Sequence, residues 1–260
     1  MPTVENAGAT IYYEVRGSGP AVIFAHGAGG NAASWWQQVP FFLDRGYRVI
    51  AFDHRGFARS ACSDEAMDLG RFPADLLAIL ATEGIERAAL VCQSMGGWTG
   101  LPTALRHPDR VRCLVLCGTP GGLWTPKVEQ GFGQVAERVR QSGLTGPGGA
   151  ALADDFPALD PGRAFLYEQI SSFNLGIPPS LARKIQGART RPDELGGYRV
   201  PTLVIAGSKD VLFAPDTLRE VADAIPGAEF VEFDGAGHST YFEQPDRFNA
   251  TVAEFIEKHP

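Results

Sequence analysis

The segment 91–97, VCQSMGG, places Ser94 directly after an apolar run and before a glycine-rich helical opening. A serine at a strand-to-helix corner needs a strained backbone. Its neighbours must also be small, so that helix and strand can close on each other, which is the logic of the G-x-S-x-G nucleophile corner. Cys92 stands at the first glycine position, Gly96 at the second, and Gly97 and Gly100 follow. Cysteine is small enough to meet the packing demand. The corner sets the Ser94 hydroxyl near a helix N-terminus, where developing negative charge is stabilised. Serine is also a common helix N-cap, but the flanking glycines and the preceding apolar run favour the nucleophile. The other reactive groups are less suited to chemistry. Cys113 and Cys117, in VRCLVLC, would share one face of a strand about 13 Å apart, too far for a disulfide or a shared metal. The glycines of HGAGG (residues 26–30) lack the G-K-[ST] or G-x-G-x-x-G context of a nucleotide site.

The elements that must position Ser94 read as alternating strands and helices. TIYYEVRG (residues 10–17) and AVIFAH (21–26) read as a hairpin across GSGP. Helical spacing follows at 33–45, with Trp36, Val39, Phe42 and Leu43 as its apolar stripe. Next come a strand at 47–53, a helix at 72–84, a strand at 87–92, a helix at 95–106 and a strand at 111–117. The alternation resumes with a strand at 201–207, a helix at 215–224, a strand at 229–235 and a helix at 245–258. Apolar strands alternating with helices imply an α/β class with a mostly parallel sheet covered on both faces. Residues 121–193 break the pattern, being rich in Gly, Pro and charge. They read as a lid inserted into a core formed by residues 1–120 and 194–260.

Four further segments complete a constellation: HGAGG (26–30), FDHRGFARS (52–60), AGSKD (206–210) and GAGHSTYFEQP (235–245). Together with the Ser94 corner, the chain resembles the α/β-hydrolase family from Thr10 to Lys258. The resemblance rests on the joint order Ser, then Asp, then His. It implies that fold, with a small helical lid. It also implies Ser94 as nucleophile, His238 as the base that removes its proton, and Asp210 as the carboxylate that orients His238. Backbone N–H groups of Ala28 and Met95 would form the oxyanion hole. Asp216 competes with Asp210, but Asp210 sits directly past the strand end and Asp216 reads as a helix cap. His26, His54 and Arg55 read as loop scaffolding, with Asp53 tying its turn through the carboxylate. Met95 and Trp98 read as core or pocket wall, and Trp35 and Trp36 as helix core.

The lid would supply an apolar lining from Leu123, Trp124, Phe132, Phe156, Phe165, Leu166, Tyr167 and Phe173. Arg163, Arg183, Arg189 and Arg191 are the candidates for a substrate carboxylate, with a solvated surface role the simpler reading. The DHRG turn, the AGSKD loop and the short insertion resemble small-molecule esterases and enol-lactone hydrolases of that family, and the resemblance implies as the first functional reading a serine hydrolase of a small carboxylic ester or lactone. The alternatives are a C–C bond hydrolase or a cofactor-free perhydrolase of haloperoxidase type, and a non-turnover ligand-binding receptor on the same fold. No cofactor and no metal are implied, since the side chains supply nucleophile and base. The formal net charge of −7 argues against a nucleic-acid partner and against a polybasic membrane anchor. The absence of a long apolar run argues against a membrane span. The partner expected is a small-molecule substrate. The N-terminus lacks the pattern of a signal peptide, and four sparse cysteines suit a reducing, cytoplasmic compartment.

Overall fold

The computed structural model describes residues 2–142 and 149–260, so residues 143–148 of the expected lid lie outside the described residues. In chain order the sheet strands are β1 (Thr3–Asn6), β2 (Ala9–Arg16), β3 (Ala21–Ala25), β4 (Arg48–Phe52), β5 (Ala88–Gln93), β6 (Val111–Cys117), β7 (Thr202–Gly207) and β8 (Glu229–Phe233). The helices are α1 (Gln38–Asp44), α2 (Phe72–Thr82), α3 (Gly97–Arg106), α4 (Pro126–Ser142), α5 (Phe156–Leu159), α6 (Pro161–Ser172), α7 (Leu181–Gly187), α8 (Pro215–Ala224), α9 (Thr240–Glu243) and α10 (Pro245–Lys258).

The strands form one eight-stranded sheet in the order β1-β2-β4-β3-β5-β6-β7-β8. From β4 to β8 every pairing is parallel, while β2 is antiparallel to both β1 and β4. Strands β3, β5 and β7 are buried along their whole length. Such strands need helices on both faces, because side chains alternate from one face to the other. Ile23, Leu90, Leu114 and Val204 pack with Leu76 of α2, Leu101 of α3 and Leu218 of α8. Their neighbours Val22, Val91, Val115 and Ile205 pack on the opposite face with Phe42 of α1 and Val252 of α10.

Two expectations are corrected. The segments at 10–17 and 21–26 do not pair as a hairpin, because β4 lies between them, with Tyr13 opposite Phe52 and Ala21 opposite Arg48. The fully buried β3 is flanked by apolar parallel neighbours on both sides, which an antiparallel edge partner would have displaced. The hairpin partner of β2 is instead β1. Its turn uses Ala7 and Gly8, both at positive φ, the conformation that a two-residue hairpin connection requires. The expected helix at 33–45 is broken into a 3-10 turn (Ala32–Trp35) and α1. Asn31 caps the turn, and Pro40 falls in the first turn of α1, where a missing N–H is tolerated. The break buries Trp35 completely and leaves Trp36 at 44% exposure, so only the first is core.

Among the described residues, no strand of the sheet lies between 121 and 193; helices α4 to α7 are the helices found there. Its two ends meet. The Thr190 N–H donates to Gly122 O at 2.7 Å and the Trp124 N–H donates to Thr190 O at 2.9 Å. Phe132, Val135 and Ile185 of this stretch share a cavity with Ser94, which follows the C-terminal end of β5, the side on which loops carrying chemistry gather in open α/β sheets.

Candidate active site

Ser94 follows the last residue of β5 and has φ of +48°, a left-handed conformation rarely adopted outside glycine. It opens a 3-10 turn that runs straight into α3. The bulk of Cys92 is accommodated by a partner across the corner: its Sγ lies 2.6 Å from where a Cβ on Gly100 would stand. Burial pushes the Cys92 thiol well above its usual range, so it remains a neutral packing group.

The loop after β3 runs against the same corner. The Gly30 N–H donates to Gly27 O at 2.9 Å, closing a turn with Ala28 and Gly29 at its centre. The Cβ of Ser94 lies only 2.9 Å from where a Cβ on Gly27 would stand, so this turn needs glycine to approach the serine. Ala28, Ser94 and Met95 then share one cavity of about 140 Å³, completed by Trp98, Phe132, Val135, Ile185, Leu212 and Phe213. The predicted nucleophile and both predicted oxyanion donors are thus brought together.

The other two predicted residues meet each other. His238 Nδ1 lies 2.8 Å from Asp210 Oδ2, and both residues are buried. The second carboxylate oxygen of Asp210 accepts the backbone N–H groups of Leu212 at 2.8 Å and Phe213 at 2.9 Å. Those amides fix the carboxylate plane and so the His238 ring. The pair abuts the cavity through Phe213, whose ring centroid is 6.0 Å from that of His238, and the amide of Gln93, the residue before Ser94, donates to His238 O at 3.4 Å. Among the described residues the imidazole is hydrogen-bonded to Asp210 and not to Ser94. Such contacts are commonly long without substrate and tighten when it binds.

The expected scaffolding residues are buried braces. His26 Nε2 accepts the His54 N–H at 2.9 Å, joining the loops after β3 and β4. Burial drives His26 down to about 4 from the usual 6.5, and burial followed by the charge of His26 drives His54 well below its usual value. Asp53 accepts the Ala32 N–H at 2.7 Å and the Arg59 Nε at 2.8 Å. Arg55 is fully buried in an ion pair with Asp75.

The region expected to line the pocket contributes less than anticipated. Of the eight apolar residues named, Phe132 alone is among the residues lining the Ser94 cavity. Phe165 and Phe173 are mostly exposed, because α6 buries the face carrying Ala164, Tyr167 and Ile170. The arginines are largely occupied. Arg163 pairs with Asp160 at 2.6 Å and donates to Phe242 O at 3.1 Å. Arg189 stacks on Trp124, and Arg191 pairs with Asp193. Arg183 is exposed.

Sequence reasoning missed Glu243, five residues after His238 within the quoted GAGHSTYFEQP segment. Its carboxylate accepts the Gly237 N–H at 3.0 Å and the Ala153 N–H at 3.1 Å, tying the histidine loop to the inserted stretch. Burial raises its pKa against the lowering effect of those amides. No helix among the described residues is long and apolar enough to cross a membrane. No group of three or more His, Cys, Asp or Glu side chains among the described residues could hold a metal ion.

The family model described as the alpha/beta hydrolase fold matches residues 20–245. A Mycobacterium tuberculosis protein named as a non-heme bromoperoxidase is 31% identical over 256 residues, covering 94% of this chain and 96% of that protein. The solved enol-lactonase from Burkholderia xenovorans superposes with a TM-score of 0.79 at 27% identity, covering 98% of this chain and all of that one. A thermophilic esterase from Thermogutta terrifontis also gives a TM-score of 0.79, at 26% identity, covering 100% of this chain and 99% of that one.

Proposed function

This chain is an enzyme-type member of the α/β-hydrolase family, and on that premise we propose that it is a serine hydrolase cleaving a small, uncharged carboxylic ester or lactone. The observation that carries the proposal is the shared cavity. Ser94, on a strained corner, faces the same apolar space as Ala28 and Met95, beside a buried Asp210–His238 pair.

In this mechanism His238 Nε2 takes the proton of Ser94 as its oxygen attacks the carbonyl carbon. The negative charge that develops on the carbonyl oxygen is held by the backbone N–H groups of Ala28 and Met95. Collapse of the tetrahedral species breaks the ester C–O bond, and His238 returns the proton to the departing alcohol oxygen. Water then attacks the acyl-serine, giving up its proton to His238; collapse of that second tetrahedral species breaks the acyl C–O bond to Ser94, His238 returns the proton to the Ser94 oxygen, and the acid product leaves. Asp210 holds the ring with Nδ1–H toward its carboxylate and Nε2 free for these transfers. Residues 121–193 serve as the lid that excludes water from this space. Among the described residues the lining carries no charged side chain, which favours an uncharged acyl group. The names of the two structural neighbours agree with an ester or lactone substrate.

The relative named as a bromoperoxidase favours one variant of the same chemistry, in which hydrogen peroxide replaces water as the attacker of the acyl-serine and yields a peracid. Chromogenic short-chain acyl esters test the main reading. Steady turnover is expected, falling roughly 10³-fold or more in Ser94→Ala. Turnover of Ser94→Ala within tenfold of the unmodified protein would overturn it. A peracid yield exceeding the acid yield at equal peroxide and water activity would favour the variant.

A further inference from the structure

The turn that carries Ala28 is held from outside by the C-terminal end of α6. Ser171 Oγ donates to Gly29 O at 2.6 Å. Asn174 Nδ2 donates to Gly30 O at 3.1 Å and to Gly29 O at 3.4 Å. In the reverse direction the buried Asn31 donates from Nδ2 to Ile170 O at 2.8 Å. Two carbonyls of a short turn are thereby bonded by side chains more than 140 residues away in sequence.

We propose that Ser171 and Asn174 are positioning residues for the oxyanion hole, an inference that rests on the reading of Ser94 as nucleophile. The orientation of Ala28 N–H depends on the peptide planes of its turn. The Gly30 N–H to Gly27 O bond fixes the closing plane, and the Ser171 and Asn174 donors fix the planes of the Gly29 and Gly30 carbonyls. A glycine-rich turn without those bonds has many accessible conformations. Preorganised donors stabilise developing charge because no reorganisation is needed at the moment of reaction. The same helix also reaches the base side of the site: Ser239, next to His238, donates from Oγ to Tyr167 OH at 3.1 Å. One helix, through Tyr167 and Ser171, thus touches the loops bearing the proposed oxyanion donor and the proposed base.

The test uses the full chain and a p-nitrophenyl ester of a short acyl chain, with active sites counted by an organophosphonate label. Ser171→Ala combined with Asn174→Ala is expected to lower kcat about tenfold to 10²-fold, short of the roughly 10²–10³-fold loss seen when one oxyanion donor is removed outright. KM is expected to stay within about threefold, since the acyl cavity is untouched. Ser171→Thr keeps the hydroxyl donor and is expected to retain most of the native kcat. Thermal unfolding checks that each variant is folded, and Ser171→Ala alone carries the test should the double variant fail to fold. Unchanged kcat in the alanine variants, or equal losses in Ser171→Thr and Ser171→Ala, would overturn the inference. Ser94→Ala measured in parallel separates the levels. Loss of turnover there with unchanged kcat in the positioning variants overturns this inference alone. Retained turnover there overturns the reading beneath it as well.

Discussion

Cys92 and Gly100 share one space: the Sγ of the first lies 2.6 Å from where a Cβ on the second would stand. The corner that presents Ser94 is therefore built as a pair, with the larger residue on the strand and the bare backbone on the helix. Gly100→Ala is expected to destabilise the chain by about 1–3 kcal/mol, the usual cost of overpacking. In a Cys92→Gly background the same substitution is expected to cost at least about 1 kcal/mol less, a coupling that a double-mutant cycle measures. Leu114 also lies 2.6 Å from that point, so part of the cost remains. Chemical denaturation of the four proteins reads the coupling, and equal costs in both backgrounds would show that the thiol is not the obstacle.

His26 gives the fold a defined acid sensitivity. In the native state its Nε2 accepts the His54 N–H, and burial holds its pKa down at about 4. The unfolded chain takes up this proton at the ordinary value of 6.5, whereas the native state resists until about pH 4. Stability is therefore complete above pH 6.5 and is lost progressively as pH falls toward 4. Between pH 7 and pH 5 the loss from this residue is about 2 kcal/mol. Urea unfolding of His26→Gln is expected to show a pH dependence smaller by that amount, with the remainder carried partly by His54, which is shifted in the same direction. An unaltered slope would remove His26 as its source.

Phe132 limits the acyl group. A cavity of about 140 Å³ holds roughly five methylene-sized groups if each occupies about the 30 Å³ of a water molecule. Activity on p-nitrophenyl esters is expected to fall beyond about that acyl length. Phe132→Ala is expected to move the optimum to longer chains, raising kcat/KM for them by about 10-fold or more per methylene newly accommodated. A length profile that does not move would place the acyl chain elsewhere.

Which features were legible depended on how far each one reaches along the chain. The doubly buried strands showed themselves as continuous apolar runs, and β6, α8 and α10 fall on the residues that periodicity indicates. The sheet's pairing order was less visible: the GSGP turn invites a hairpin between β2 and β3, and only the insertion of β4 between them decides otherwise. The proposed triad residues could be named because each sits at a strand end within a short motif. The residues that steady them could not. Ser171 and Asn174 act on backbone groups across long sequence separations, and Glu243 couples its near neighbour Gly237 to the distant Ala153; no local spacing marks these roles. For the lid arginines the simpler reading is the one the structure agrees with: Arg183, Arg189 and Arg191 are exposed, and Arg163 is taken up by Asp160 and by the carbonyls of α9.

The closure between Gly122, Trp124 and Thr190 has a consequence for modular exchange. Because the chain closes on itself at Gly122, Trp124 and Thr190, outside the sheet strands, residues 125–189 can be regarded as a cassette, replaceable without moving β6 or β7. A donor cassette chosen for its pocket-facing residues alone would reshape substrate preference. It would also arrive without the hydroxyl and amide that grip the Gly29 and Gly30 carbonyls. Transplants between relatives should therefore be screened for turnover as well as selectivity, since recognition and rate travel on the same piece of chain.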